Sequence, residues 1–291
     1  FNANASSTLS KAMKYNLDYN NKKFKIGMAF RRVDPEYQTM GSVYLNNDFQ
    51  DIQGKTSFRL FKNKVIISSS VGFQKNNLDD SKASEMSRLI SSVNLNYNIS
   101  EHWMLNGAYS NFNSESHMTV VNTLDTMRYA QVTKNGNMQL MYSKSSKKMR
   151  FASALSGNYQ NAKVNGVDNS VLYNGSLSTQ LGFLKSGLNL TIALNSSTNV
   201  TEDYQITTLG PSAVVSKRFL KGKIMASWSN VGMKSYLNGV SDGFIFNTKL
   251  TGMYRINRHH ALNLNFSLIQ KNSSIINSQE ALSSLGYNYT F

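Results

Sequence analysis

The stretch ALNLNFSL, residues 261–268, puts Leu262, Leu264, Phe266 and Leu268 on one side of an extended chain and Asn263, Asn265 and Ser267 on the other. Successive side chains of a strand point to opposite faces, so this spacing writes a strand with one apolar and one neutral polar face. The same alternation runs through GLNLTIALN (187–195), VLYNGSLSTQLGF (171–183), FIFNTKLTGMYRI (244–256) and LISSVNLNYNI (89–99). Extended over the whole chain it marks fifteen segments: 6–19, 23–33, 55–62, 64–75, 86–99, 103–113, 136–145, 148–161, 169–183, 186–197, 203–216, 222–234, 243–257, 260–271 and 281–291. A helix would repeat its apolar positions every three or four residues; these lie two apart.

Most of the segments run for about 9–14 residues, close to twice the usual strand of a soluble sandwich. That length suits a tilted strand crossing a bilayer about 30 Å thick. The sequence therefore predicts an all-β fold, a transmembrane antiparallel up-and-down β-barrel with its apolar face toward lipid and its Asn/Ser/Thr face toward the interior. Aromatics near segment ends, such as Tyr19, Trp103, Phe183, Trp228 and Tyr287, fit interfacial girdles. A long-stranded β-helix or lipocalin-like barrel is the soluble alternative. Charged residues make up only 16% of the 291 residues and Cys is absent, which permits an oxidising compartment without requiring one. No run of 18 apolar residues writes a transmembrane helix.

Short junctions alternate with longer ones. NNKK (20–23), KNK (62–64), SEHW (100–103), SSKK (145–148), LKSG (184–187), LKGK (220–223) and NRHH (257–260) are short, whereas 34–54, 76–85 and 114–135 are long. Barrels of the outer membrane turn tightly on the periplasmic side and carry long loops outside. Short turns and the C-terminus are accordingly expected in the periplasm and long loops outside the cell. Charge sorts the same way: of 16 acidic residues only Asp18 and Glu101 lie at short turns, while about half of the 31 basic residues crowd them. A net charge of +15 in a soluble protein would point to nucleic acid. Sorting by membrane side accounts for the excess instead, with a basic ring against anionic headgroups and no nucleic-acid partner. Fifteen strands is an odd number, and single-chain bacterial barrels have an even one. Residues 1–291 are thus expected to form one β-barrel domain, the C-terminal part of a longer chain with sixteen or more strands.

The chain ends SSLGYNYTF, and Ser284, Gly286, Tyr289 and Phe291 are similar to the C-terminal assembly signal of bacterial outer-membrane β-barrel proteins: polar, any, Gly, two any, aromatic, any, aromatic. The resemblance implies that the barrel-assembly machinery reads this strand during biogenesis. The Asn- and Lys-rich style and RRVDPEYQTMGSVYLNNDF (31–49) resemble outer-membrane barrels of the Bacteroidota. Neither resemblance implies an activity.

Candidate chemistry is sparse. His102, His259 and His260 lie in short turns; His117, in a long connection, has Ser114, Ser116 and Asp125 near it in sequence. A nucleophile and its base must sit within hydrogen-bond reach, which one loop rarely arranges, so no enzyme is expected. Asn46, Asn47, Asp48 and Asp51 offer oxygens of the kind Ca²⁺ takes, at no standard loop spacing, and neither metal nor cofactor is expected. Pro35 and Pro211 read as strand-edge or loop breakers. Candidate lumen-lining positions are Arg59, Asn94, Asn96, Asn174, Ser176, Asn189, Lys249, Asn263 and Asn265. Opposed Arg and Asp/Glu rings would mark a selective constriction, and alternation alone reveals none. Two functions are compatible: a non-catalytic barrel that anchors or joins a larger assembly, secretion or surface complex with other outer-membrane or periplasmic proteins, and a porin-like channel for small polar solutes. Outer-membrane lipid is a partner in both.

Overall fold

A computed structural model describes residues 9–39, 46–118, 128–273 and 277–290. They form fifteen strands: β1 Ala12–Asn20, β2 Phe24–Val33, β3 Phe49–Leu60, β4 Val65–Asn76 and β5 Ser84–Asn98. There follow β6 Trp103–Met118, β7 Arg128–Ser145, β8 Met149–Val164, β9 Val167–Phe183 and β10 Leu188–Val200. The series ends with β11 Gln205–Phe219, β12 Ile224–Leu237, β13 Val240–Arg255, β14 His260–Ser273 and β15 Asn277–Tyr289. One sheet carries them in sequence order, each next to its chain neighbours. Every pairing with a described register is antiparallel. The fold is all-β and up-and-down, as the alternation predicts. The described residues contain no helix beyond a single 3₁₀ turn, Leu220–Gly222.

Three expectations need correction. β3 begins at Phe49, not near 55. Its alternation is masked because Phe49 lies on the polar face while Gly54 and Thr56 take apolar-face positions. β6 and β7 reach Met118 and Arg128, so the connection expected over 114–135 is mostly strand. SESHM and RYAQ are polar on both faces there, which erases the period-2 signal. Pro211 lies inside β11 opposite Leu194, not in a loop. It lacks an N–H, and the register toward β12 skips 210–211, passing from Leu209↔Lys234 to Ser212↔Val231. Pro35 does follow a strand end, in the turn after β2. Two connections on the long-loop side are as tight as a hairpin allows: Asn165-Gly166 and Asn238-Gly239 have positive φ at both residues (51° and 85°; 50° and 81°), the type I′ geometry that Asn-Gly favours.

The chain divides into two units. The first comprises Phe1–Tyr97, Asn106–Gly136 and Gln160–Asn169. Its register from β1 to β5 aligns one apolar face: Leu17 opposite Met28, Phe24 opposite Phe58, Ile52 opposite Phe73, and Phe73 opposite Leu89. The second comprises Asn98–Leu105, Asn137–Tyr159 and Ser170–Phe291. There Leu177 faces Leu194, Trp228 faces Leu250, Leu250 faces Phe266, and Leu264 faces Leu285.

Neither apolar face is covered by the described residues. Among the described residues only Val33 and Phe49, each 7% exposed, form a buried apolar contact, as register partners. Leu17 is 77% exposed and Leu285 76%. A water-soluble chain of this length buries roughly three quarters of the surface its unfolded form exposes.

Candidate functional site

The polar face of the first unit gathers charge. Lys14, Arg31, Asp51, Gln74 and Arg88 are successive register partners across β1–β5. Arg31 donates to Asp51 Oδ2 from Nη2 at 2.6 Å and from Nε at 2.8 Å. Its guanidinium also lies over the Phe49 ring, 4.5 Å from the centroid, a favourable cation–π arrangement. Two rows nearer the short turns, Asp18, Gly27, Lys55, Ser70 and Ser92 are partners in turn. A Cβ on Gly27 would meet Asp18 Oδ1 at 2.2 Å, so the missing side chain is what lets this carboxylate lie across the neighbouring strand. These rows border a cavity of about 530 Å³ lined by Lys14, Asn16, Asp18, Arg31, Asp51 and Lys55 among others. Alternation in sequence does not reveal this opposed set, because its members lie in five separate strands and only the register brings them level.

Above it, the connections of the first unit are tied down. Asp48 is 1% exposed; its Oδ1 accepts the Leu78 N–H at 2.7 Å and its Oδ2 faces only the Lys82 ammonium, at 2.5 Å. Asn77 accepts the Lys82 N–H at 2.9 Å and donates to the Lys82 carbonyl at 3.0 Å. Asp34 accepts from Arg32 Nε at 2.8 Å and from the Lys11 N–H at 3.0 Å. The Arg32 hydrogen bond, ahead of that from Lys11, holds the Asp34 carboxyl below its ordinary range. In the next connection the Ser81 hydroxyl does the same for Asp79. Asp48 and Asp51, offered by the sequence as Ca²⁺ ligands, are each engaged by a basic side chain instead.

The remaining positions read from the sequence fall as follows. Arg59, Asn94 and Asn96 lie on the polar face of the first unit, Asn94 opposite Ser68 and both Arg59 and Asn96 opposite Ile66. Asn174, Ser176, Asn189, Lys249, Asn263 and Asn265 share the polar face of the second unit. Hydroxyl and carboxamide ladders cross that face: Ser176 to Ser156 at 2.7 Å, Asn195 to Ser212 at 3.0 Å and Asn265 to Ser284 at 3.3 Å. Ser284 and Gly286 stand on β15 opposite Asn265 and Asn263. Tyr289 ends β15 opposite His260, and their rings are 5.0 Å apart. His260 Nδ1 hydrogen-bonds the Tyr287 hydroxyl, and His259 Nδ1 approaches the Thr290 carbonyl at 2.9 Å. His102 packs against Tyr142 at 5.9 Å. Three histidines therefore serve the aromatic rim beside the short turns. Ser114, Ser116 and His117 belong to β6, not to a loop. Asp125 and Phe291 lie outside the described residues.

No protein-family model matches the chain, and no curated protein matches it in sequence. Solved structures do match in the course of the backbone. The copper transporter OprC is 8% identical over 96% of this chain and 63% of its own, with a TM-score of 0.45. The FrpB iron transporter from Neisseria meningitidis is 8% identical over 96% and 64%, with a TM-score of 0.47. The alcaligin outer membrane receptor FauA from Bordetella pertussis is 10% identical over 95% and 64%, with a TM-score of 0.43. The chain thus spans less than two thirds of the length of each.

Proposed function

We propose that this chain is a non-catalytic β-barrel of a Gram-negative outer membrane, of Bacteroidota type, serving as the anchor or membrane subunit of a larger outer-membrane assembly, secretion or surface complex. One observation carries the reading: long antiparallel strands present an aliphatic and aromatic face that none of the described residues covers, while the opposite face is polar and cross-linked by hydrogen bonds, with a charged row in the first unit. Water does not tolerate such a surface, and lipid requires it. Ser284, Gly286, Tyr289 and Phe291 supply the assembly signal in this reading. The basic short turns face the periplasmic leaflet and the Asp34, Asp48 and Asp79 side faces outward. Density fractionation of the native cells, followed by native mass spectrometry in mild detergent, tests it. The chain is expected in the outer-membrane fraction with bound protein partners. Recovery as a water-soluble monomer overturns the barrel, and a partner-free species overturns the subunit role.

A second reading, a channel for small polar solutes, is favoured by the level row Lys14, Arg31, Asp51, Gln74 and Arg88. Opposed charges at one height are what a selective constriction needs. Conductance in planar bilayers tests this role, with Asp51→Asn expected to change ion selectivity.

A further inference from the structure

The second unit holds two arginines that are close in space and unpaired. The Arg150 and Arg218 side chains have no ion-pair or hydrogen-bond partner among the described residues. Both border one cavity of about 610 Å³ at the short-turn end, with Lys144, Gln180 and Asn189.

Register places Arg218 on the polar face, and Gly182 brings Arg150 to the same face. Gly182 of β9 pairs with Asn189 of β10, which pairs with Ser216 of β11, two residues before Arg218. A Cβ on Gly182 would sit 2.9 Å from Asn189 Oδ1 and 3.7 Å from the Arg150 Cβ. The Asn189 carboxamide therefore lies over Gly182, with Arg150 beside it. A Cβ on Gly187 would press on the Arg218 Cβ at 3.3 Å, so that glycine leaves the arginine its place. Three strand spacings separate β8 from β11, roughly 14 Å, a span that two arginine side chains turned toward each other can bridge around a small anion. Lys217, the residue before Arg218, points to the other face and lies 5.0 Å over the Phe219 ring. The strand thus sends one cation to the apolar side and one to the cavity.

We propose that this cavity is an oxyanion-binding site for a small phosphate- or carboxylate-bearing molecule, gripped by Arg150 and Arg218 with Asn189 between them. Two guanidinium forks match such oxygens bidentately, the carboxamide adds N–H donors, and the volume fits one small molecule. The site stands on the geometry of the second unit alone and is independent of where the chain resides.

The test is calorimetric titration of the detergent-purified chain with inorganic pyrophosphate at low salt. Saturable binding is expected at one site. Affinity should fall at least tenfold in the R150Q/R218Q double variant and stay within twofold in K22Q/K23Q, which removes equal charge from the first unit. Absence of saturable binding, or equal losses in both variants, overturns the proposal. Should R150Q/R218Q fail to fold, phenylglyoxal labelling of the unaltered chain decides the matter: pyrophosphate must protect Arg150 and Arg218, and unprotected labelling refutes the site. Competition with short-chain phosphatidylglycerol identifies the source. Displacement of pyrophosphate assigns a lipid headgroup phosphate, whereas persistence assigns a soluble anion.

Discussion

Asp48 is the most enclosed side chain among the described residues, and it joins two connections that are 30 residues apart in sequence. Its partners are unequal. The Leu78 N–H has no other acceptor among the described residues, while Lys82 is half exposed and is Asp48's counter-charge. Asp48→Ala should therefore destabilise the folded chain by about 1–3 kcal/mol, and Lys82→Ala by at least as much, because it leaves the enclosed Oδ2 without its counter-charge; urea unfolding in detergent measures both. Asp34 adds a pH dependence of definite sign. Its folded carboxyl titrates below the ordinary value of 3.8, so the unfolded chain binds the proton first. The clasp from Lys11 and Arg32 is complete above that value and is lost as pH falls through the lower folded one. Faster exchange of the Lys11 amide with acidification, beyond the intrinsic trend and absent in Asp34→Asn, is the expected result. None of these contacts was legible as such. The sequence marks 31–49 as charged and distinctive, yet says nothing of Lys82 or Leu78, because a hydrogen bond across two loops has no spacing to read. The polar-face asparagines were legible, since alternation alone fixes which side a strand residue takes.

At the scale of a strand, β11 shows how a local rule can be broken and repaired. Pro211 removes a ladder donor, and Gly210 before it allows an approach that no other residue permits. A Cβ there would lie 1.8 Å from the Gly232 carbonyl oxygen and 2.7 Å from the Met233 Cα. Those are backbone atoms and cannot swing aside. Gly210→Ala should cost about 3 kcal/mol or prevent closure of the β11–β12 ladder. In Gly175→Ala, where a Cβ meets nothing within 4 Å, the change should stay below about 0.5 kcal/mol. Heat-modifiable mobility on unheated gels reports the folded fraction of each. The number of strands followed from period-2 counting, but their ends did not. Where β3, β6 and β7 run on, both faces turn polar or the faces mix, and a period with no amplitude marks no boundary. The Asn-Gly pairs at 165–166 and 238–239 did carry a turn signal.

For the whole molecule the question is which solvent its apolar face meets, and one pair of substitutions on neighbouring residues asks it directly. Leu264 is 47% exposed at the fifth residue of β14, opposite Gly252 on one side and Leu285 on the other. Asn265, the next residue, faces Thr251 and Ser284 across the polar side. In water a half-exposed leucine on a sheet surface tolerates arginine within about 0.5 kcal/mol. Against hydrocarbon the same change costs about 1–4 kcal/mol, rising toward the midplane, because a guanidinium there must be desolvated or must snorkel. Leu264→Arg should accordingly lose most of its folded, membrane-inserted fraction, while Asn265→Arg, facing hydrated groups, keeps it. Refolding into short-chain lipid vesicles, read by heat-modifiable mobility, separates the two. Equal tolerance would mean that the apolar face is wetted, and the length and register of fifteen strands would then need a different cause.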